Sequence, residues 1–343
     1  MRRYIHAFSI AALVFGGTAS VRAQEITATI AGTVTDQTGA TLPGATVVAR
    51  NVGKGVTTEA VTNKAGRYTL PYLINGDYEI TFTMSGFKNY VARNISLHVN
   101  DRLEVNASLG VQGVTETVEV TASSQLIQPS ASVQNLMGST QVQELPLNNR
   151  NFVQLATLVP GVSSSLTDEV GIGLTSTVSL SINGARRNAI NWFVDGASNV
   201  DVGSNITLLS TPTLESIEEF KIITSSYAAE WPRSGGGIIN VVTKSGSNAF
   251  RGSAYEFYRN DGLNANSFFR KQSTNTAISG APAQLDYHNF GATLGGPVMK
   301  DKLFFFASYE RRKIERAPTS LSATTIDPAW LSDPSNANYV APA

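Results

Sequence analysis

Residues 234–258 read SGGGIINVVTKSGSNAFRGSAYEFY, and the surroundings of this stretch decide the fold. Three consecutive glycines, Gly235, Gly236 and Gly237, precede a short aliphatic run, and a further Ser-Gly pair closes it at Gly246. Glycines in this density imply close backbone approach or positive φ. After Phe250 an alternating stretch carries Tyr255, Phe257 and Tyr258. Alternation predicts a strand whose two faces meet different surroundings.

Downstream the pattern repeats. FRGSAYEFYRN, YHNFGATLGGPVM and KLFFFASYERRKIER are long, rich in aromatics and glycine, and separated by polar loops. In the last of them Leu303, Phe305, Ala307 and Tyr309 alternate with Phe304, Phe306, Ser308 and Glu310. Strands of about ten residues with one apolar and one more polar face are what crossing a bilayer at a tilt requires.

Upstream lies a small mixed α+β domain, assigned to residues 125–246. In STQVQELPLNNRNFVQLATLVPG, Val142 and Leu145 precede a break at Pro146, and Phe152, Leu155 and Leu158 then recur at three-residue steps. This spacing predicts two short helices packing by their apolar faces. VSLSING, AINWFVDG, IEEFKIIT and GIINVVTKSG read as strands.

Further upstream, VQGVTETVEVTASS over 111–124 alternates Val118 and Val120 with Thr117, Glu119 and Thr121. It reads either as an ordinary linker or edge strand, or as a detached strand offered to another protein's sheet edge, where main-chain hydrogen bonds supply the grip. Residues 24–110 form a succession of short β-type runs divided by turn residues. In DYEITFTM, Tyr78, Ile80, Phe82 and Met84 occupy one face and Glu79, Thr81 and Thr83 the other, half-buried antiparallel patterning that predicts a β-sandwich.

Composition limits the function classes. The chain of 343 residues is 42% hydrophobic and 15% charged, which excludes a largely disordered protein. Basic and acidic residues balance at 26 each, so no electrostatic footprint for nucleic acid exists. Residues 1–23 carry Arg2 and Arg3, an apolar run and small residues before Ala23, the pattern of a secretory signal; the run falls short of the ~20 residues of a spanning anchor. Removing it takes away Arg2, Arg3 and Arg22 and no acid, leaving a net charge of about −3. No cysteine occurs, which excludes disulfides and thiolate chemistry.

Catalytic signals are missing. Three scattered histidines, His6, His98 and His288, do not suggest a zinc enzyme, and no HExxH, Gly-x-Ser-x-Gly or phosphate-loop sequence occurs. DGASNVD places Asp195, Asn199 and Asp201 within reach of a cation, against the plainer reading of an Asp-Gly turn. No catalytic activity and no cofactor are expected.

GTVTDQTGATLPGATVVARN with TNKAGRYTLPYLINGDYEITFTMSGF resembles the carboxypeptidase regulatory-like, transthyretin-type sandwich of the carbohydrate-binding-like group. Together with ETVEVTA, LPLNNRNFVQLATLVPGV, SINGARRNAINWFVDGASNVD and NFGATLGGPVMKDKLFFFASYERR, taken in order, it resembles the start of a TonB-dependent outer-membrane receptor of the Oar-like type. The resemblance implies a mainly β chain exported by a Sec-type route to the outer membrane of a Gram-negative bacterium. A sandwich, a small α+β plug and the first strands of a barrel from residue 247 would follow one another.

It further implies that Thr115, Glu116, Thr117, Val118, Glu119, Val120, Thr121 and Ala122 form the TonB box, the strand gripped by a TonB-type energy-transducing protein. Arg186, Arg187, Glu218, Glu219, Glu230 and Arg233 would hold the plug in the lumen, and Gly235, Gly236, Gly237 and Gly246 would shape the turn from plug to wall. Outer-membrane lipid and an extracellular substrate, an oligosaccharide or a peptide, would complete the partners. A plugged lumen needs about 22 strands, and three are legible, so the chain is expected to be an N-terminal fragment. The competing reading is a soluble periplasmic or secreted module that binds carbohydrate or protein through its sandwich.

Overall fold

The computed structural model describes residues 27–111, 118–121, 133–147, 150–164, 180–227, 235–266, 268–272 and 280–316. The signal-like segment and the tail beyond residue 316 lie outside them. The chain divides into two compact units, Met1–Gly252 with Thr293–Ser308, and Ser253–Ala292 with Tyr309–Ala343.

The first unit opens with the sandwich. Its strands are β1 (Ala28–Asp36), β2 (Thr46–Asn51), β3 (Thr57–Val61), β4 (Arg67–Leu73), β5 (Gly76–Thr83), β6 (Tyr90–Leu97), β7 (Arg102–Glu104) and β8 (Ala107–Leu109), with β9 (Val118–Thr121) beyond them. One sheet runs β4-β1-β7 with β8 also pairing β1, and the other runs β3-β2-β5-β6-β9. Period-two alternation sets the core: Tyr78, Ile80 and Phe82 of β5 are buried, as are Ile30 and Val34 of β1 and Tyr68 and Leu70 of β4. Each fully buried side chain of this size contributes about 1.5–3 kcal/mol. Phe82 anchors the centre, with Tyr68 and Tyr90 edge-on to its ring at 5.6 and 5.7 Å.

The middle domain follows with β10 (Val133–Gly138), helix α1 (Ser139–Glu144), a 3-10 segment (Phe152–Leu158), β11 (Val162–Ser164), β12 (Leu180–Ile182), β13 (Ile190–Val194), β14 (Ala197–Ser198), β15 (Ile217–Ser225) and β16 (Gly237–Thr243). Its main sheet runs β10-β15-β16-β13-β14, antiparallel except where β13 lies parallel to β16, and β11 and β12 pair separately. One face is apolar. There Phe152 stands edge-on to Trp192 and Phe220 at 5.9 and 6.4 Å, over Ile222, Ile239 and Val241. Strand alternation sends Glu219, Lys221, Ile223, Ile238 and Asn240 to the opposite face, where they are buried as well.

Of the two helices expected here, the first is a short α-helix and the second is 3-10, capped by the Asn151 side chain accepting from the Val153 N–H. The 3-10 geometry buries Phe152 and Leu155 but leaves Leu158 52% exposed, so the expected apolar stripe is one residue shorter. Strand β10 and the long β6 went unread in the sequence.

Three long strands, β17 (Arg251–Asn260), β18 (Leu285–Met299) and β19 (Leu303–Arg316), form a separate sheet in that order.

Candidate functional site

Four structural features bear on the residues singled out in the sequence, beginning with the segment at Val118. Val118–Thr121 is not detached: it lies parallel to β6, with Val118 opposite Tyr90, Glu119 opposite Val91, Val120 opposite Ala92 and Thr121 opposite Arg93. The reason is the edge of β6. Its other side is taken by β5, so without β9 it would present unpaired N–H and C=O groups. The chain leaves the sandwich along the same edge, where Val111 bridges Phe87 and Lys88 donates its N–H to the Gly110 carbonyl at 2.7 Å. Thr115, Glu116, Thr117 and Ala122 lie outside the described residues.

The second feature is a polar contact between the sandwich and the middle domain, both in the first unit. The loop after β6 docks on the second face of the middle sheet. Val99 donates its backbone N–H to Glu219 Oε2 at 3.0 Å, and His98 Nδ1 meets Glu219 Oε1 at 3.0 Å. Lys221 Nζ donates to the Val99 carbonyl at 2.9 Å and lies 3.5 Å from Asp101 Oδ1. Asp101 in turn accepts the His98 backbone N–H at 3.0 Å.

The hydrogen bond to Glu219 holds the His98 imidazole above its usual range, against a smaller opposing effect of burial. Burial raises the Glu218 carboxyl, and attraction to Lys244, Lys54 and Arg251 counters it. Lys54, on the β2–β3 turn of the sandwich, is lowered by burial while Glu218 pulls it back. The same turn is tied down where Asn248 donates its N–H to the Gly53 carbonyl at 3.0 Å.

Glu218 is attracted by Arg251 at the start of β17 as well as by Lys244 and Lys54, whereas Glu219 has a different partner from the one expected. Glu219 bonds to the sandwich rather than to a barrel wall, because β15 alternation points it at the face that the His98–Asp101 loop covers. Arg186 and Arg187 are exposed beside a 3-10 turn (Arg187–Ala189). Glu230 and Arg233 lie outside the described residues. His98, Val99, Asp101, Lys221 and Lys54 were missed, since nothing in one sequence pairs a loop with a strand some 120 residues away.

The glycines form the third feature. Gly235 and Gly236 both donate their N–H groups to the Ala189 carbonyl, at 3.1 and 3.0 Å. Gly237 has φ of +153°, and a Cβ there would come within 2.7 Å of Ile182 Cδ1 and 3.2 Å of the Ile223 carbonyl oxygen. At Gly246 a Cβ would overlap the carbonyl oxygens of Phe305 and Gly296.

The fourth feature is the face structure of the long strands. On β18, Phe290, Ala292 and Leu294 are exposed, while Tyr287 and Asn289 are buried. Within the second unit, Tyr255 donates its hydroxyl to Glu310 at 3.1 Å, and the Arg312 guanidinium lies 2.7 Å from the same carboxylate. Arg259 sits 6.0 Å from the centre of the Tyr287 ring. The Tyr258 and His288 rings are 4.7 Å apart, and His288 lies 3.1 Å from Glu256. Alternation puts Tyr255, Arg259, Tyr287 and Asn289 on one face, while Glu256, Tyr258 and His288 share the other face with the exposed Phe290, Ala292 and Leu294.

DGASNVD holds itself together. Asp201 accepts N–H groups from Ser204, Ile206 and Thr207, which keep its carboxyl well below the ordinary carboxylate range. Asp195 accepts from the Thr243 N–H and hydroxyl at 2.8 and 2.7 Å, and Asn199 bonds across to Ser210. The turn reading accounts for all three. Among the described residues no group of three or more metal-ligating side chains gathers, and no helix is long and apolar enough to cross a membrane.

Comparison with known proteins bears on the whole order of segments. Residues 29–110 match the carboxypeptidase regulatory-like domain, and residues 242–339 match the outer membrane beta barrel domain. Over 317 residues, 87% of this chain, the sequence is 34% identical to the TonB-dependent transporter Oar of Myxococcus xanthus. From the sandwich to the first long strands the chain is similar to Oar-like TonB-dependent transporters. It spans 28% of that relative's length.

Among solved structures, the siderophore receptor PirA from Acinetobacter baumannii aligns over 55% of this chain and 25% of its own, with a TM-score of 0.40 and 19% identity. The ferric citrate transporter FecA, in its unliganded form, aligns over 54% and 26%, with a TM-score of 0.40 and 16% identity. The Oar-like chain is mainly β, with an N-terminal sandwich and an outer-membrane barrel region, and its location is the outer membrane. Oar-like proteins are transporters rather than enzymes.

Proposed function

We propose that this Oar-like chain is the energy-coupled, gate-bearing N-terminal part of an outer-membrane transporter. Residues 115–122 are the strand gripped by a TonB-type protein, residues 125–246 the plug, and the strands from residue 247 the beginning of the wall around it. The observation that carries this reading is the continuous 34% identity to a TonB-dependent transporter over 87% of the chain.

The geometry fits the task. Tension on 115–122 enters the middle domain through β10, which among the described residues is the edge strand of its sheet and pairs with β15 alone. An edge strand with half-buried side chains yields before the apolar core of Phe152, Trp192 and Phe220 does. Energy comes from the inner membrane through the partner, so the chain itself needs no cofactor. The substrate is extracellular; oligosaccharides and peptides are the classes to test. A soluble binding module is the less favoured reading, because it leaves the outward apolar residues Phe290, Leu294 and Val298 without a solvent that suits them.

Deleting Thr115–Ala122 is expected to abolish capture of the chain by an immobilised TonB C-terminal domain. Capture at the level of the intact chain would overturn the coupling role.

A further inference from the structure

The coupling strand is docked on its own chain, and that has a cost for any partner. We propose that the free edge of β6 in the sandwich is a holding site for residues 118–121, which sequesters the coupling strand until a TonB-type partner displaces it. The proposal rests on the coupling role assigned above.

Three observations carry it. First, the pairing is backbone to backbone and in register over Tyr90–Arg93, the type of contact by which one protein adds a strand to another's sheet. Second, the template is rigid: Val91 is 8% exposed, Ala92 fully buried, and Tyr90 packs on Phe82, so the edge exists whether or not β9 occupies it. Third, the strand cannot wander far. Residues 112–117 alone separate Val111, which bridges Phe87 on this edge, from Val118. A tether this short sets an effective concentration on the order of millimolar, which a partner must overcome.

Register also decides what the docked strand can show. Val118 and Val120 stand opposite Tyr90 and Ala92, which belong to the sandwich core or pack on it. A partner that adds a strand needs main-chain N–H and C=O groups along one edge of the segment; in the docked segment the edge that faces β6 is already paired. Only four residues are paired, so the hold is weak enough to be exchanged.

The test compares a synthetic peptide of residues 115–122 with the full chain in detergent, each titrated against a purified TonB C-terminal domain. The peptide is expected to bind about tenfold or more tightly than the same segment in the chain, since apparent affinity falls with the fraction released. Equal affinities would overturn sequestration and leave the coupling role standing. A peptide that does not bind would overturn the coupling role and the proposal with it. In a second arm, Arg93→Cys is combined with Thr121→Cys, facing positions in a chain without native cysteine. Oxidation should form the crosslink and abolish capture, and reduction should restore it. A crosslink that does not form, or an oxidised chain captured as well as the reduced one by addition to the outer edge of β9, would overturn the proposal.

Discussion

The carboxylate of Glu219 in the middle domain accepts the backbone N–H of Val99 in the sandwich loop at 3.0 Å, with Glu219 itself 5% exposed. Removing the acceptor leaves that N–H without its partner in a dry contact, and an unsatisfied buried donor costs about 1–3 kcal/mol. Glu219→Ala is therefore expected to loosen the sandwich from the middle domain. The readout is limited proteolysis, with faster cleavage between the two domains than in the parent. Unchanged cleavage would show that the contact does not hold them together.

The same carboxylate makes the contact pH-dependent. His98 has its folded-state pKa raised, chiefly by the hydrogen bond to Glu219. A group raised on folding contributes stability that is fully present below its unfolded pKa, about 6.5, and is lost as pH rises through the folded value. Stability of the parent should thus decline over the interval beginning near neutrality, and His98→Gln should flatten that part of the profile. Because the imidazole is 38% exposed, solvent screens the effect and the change will be modest. Denaturant midpoints measured across this interval in both proteins check it; parallel profiles would refute it.

Much of this architecture was legible in the sequence where a period was clean. Tyr78, Ile80 and Phe82 announced a half-buried strand, and the alternation from Leu303 to Tyr309 announced a long two-faced one, because each pattern is local. Strand β6 went unread since YVARNISL has Arg93 and Asn94 adjacent at its centre, breaking the alternation, and Asn94 indeed takes a positive φ of 59°. With β6 unread, the segment at Val118 looked partnerless. Glu219 and Lys221 read as plug surface charges or were passed over, since their burial depends on a loop far away in the chain. Non-local docking leaves no periodic trace.

Within the middle domain, Arg150 donates to Glu215 at 2.7 Å, and both side chains are nearly buried, 9% and 12% exposed. Breaking a buried pair by removing one member is far worse than replacing both, because a charge is left in a poor solvent. Glu215→Ala is expected to destabilise the domain by about 3 kcal/mol. Arg150→Met combined with Glu215→Leu should recover most of that loss. Chemical denaturation monitored by tryptophan fluorescence, with Trp192 in the adjacent core, reports both. A single substitution as mild as the double one would contradict the assignment.

Gly246 tests whether the passage from β16 to the long strands depends on backbone contact. A Cβ at this position would collide with the carbonyl oxygens of Phe305 and Gly296, which belong to β19 and β18 and cannot retreat without disturbing those strands. Neither obstacle is a flexible side-chain end, so relief must come from the main chain. Overpacking of this type costs about 1–3 kcal/mol. At Gly203, by contrast, the nearest atom to an added Cβ is the Asp201 carboxylate at 3.5 Å, an ordinary contact. Gly246→Ala should therefore lower the thermal midpoint clearly while Gly203→Ala leaves it near that of the parent. If the two variants melt together, the close approach at Gly246 is not a constraint on the fold.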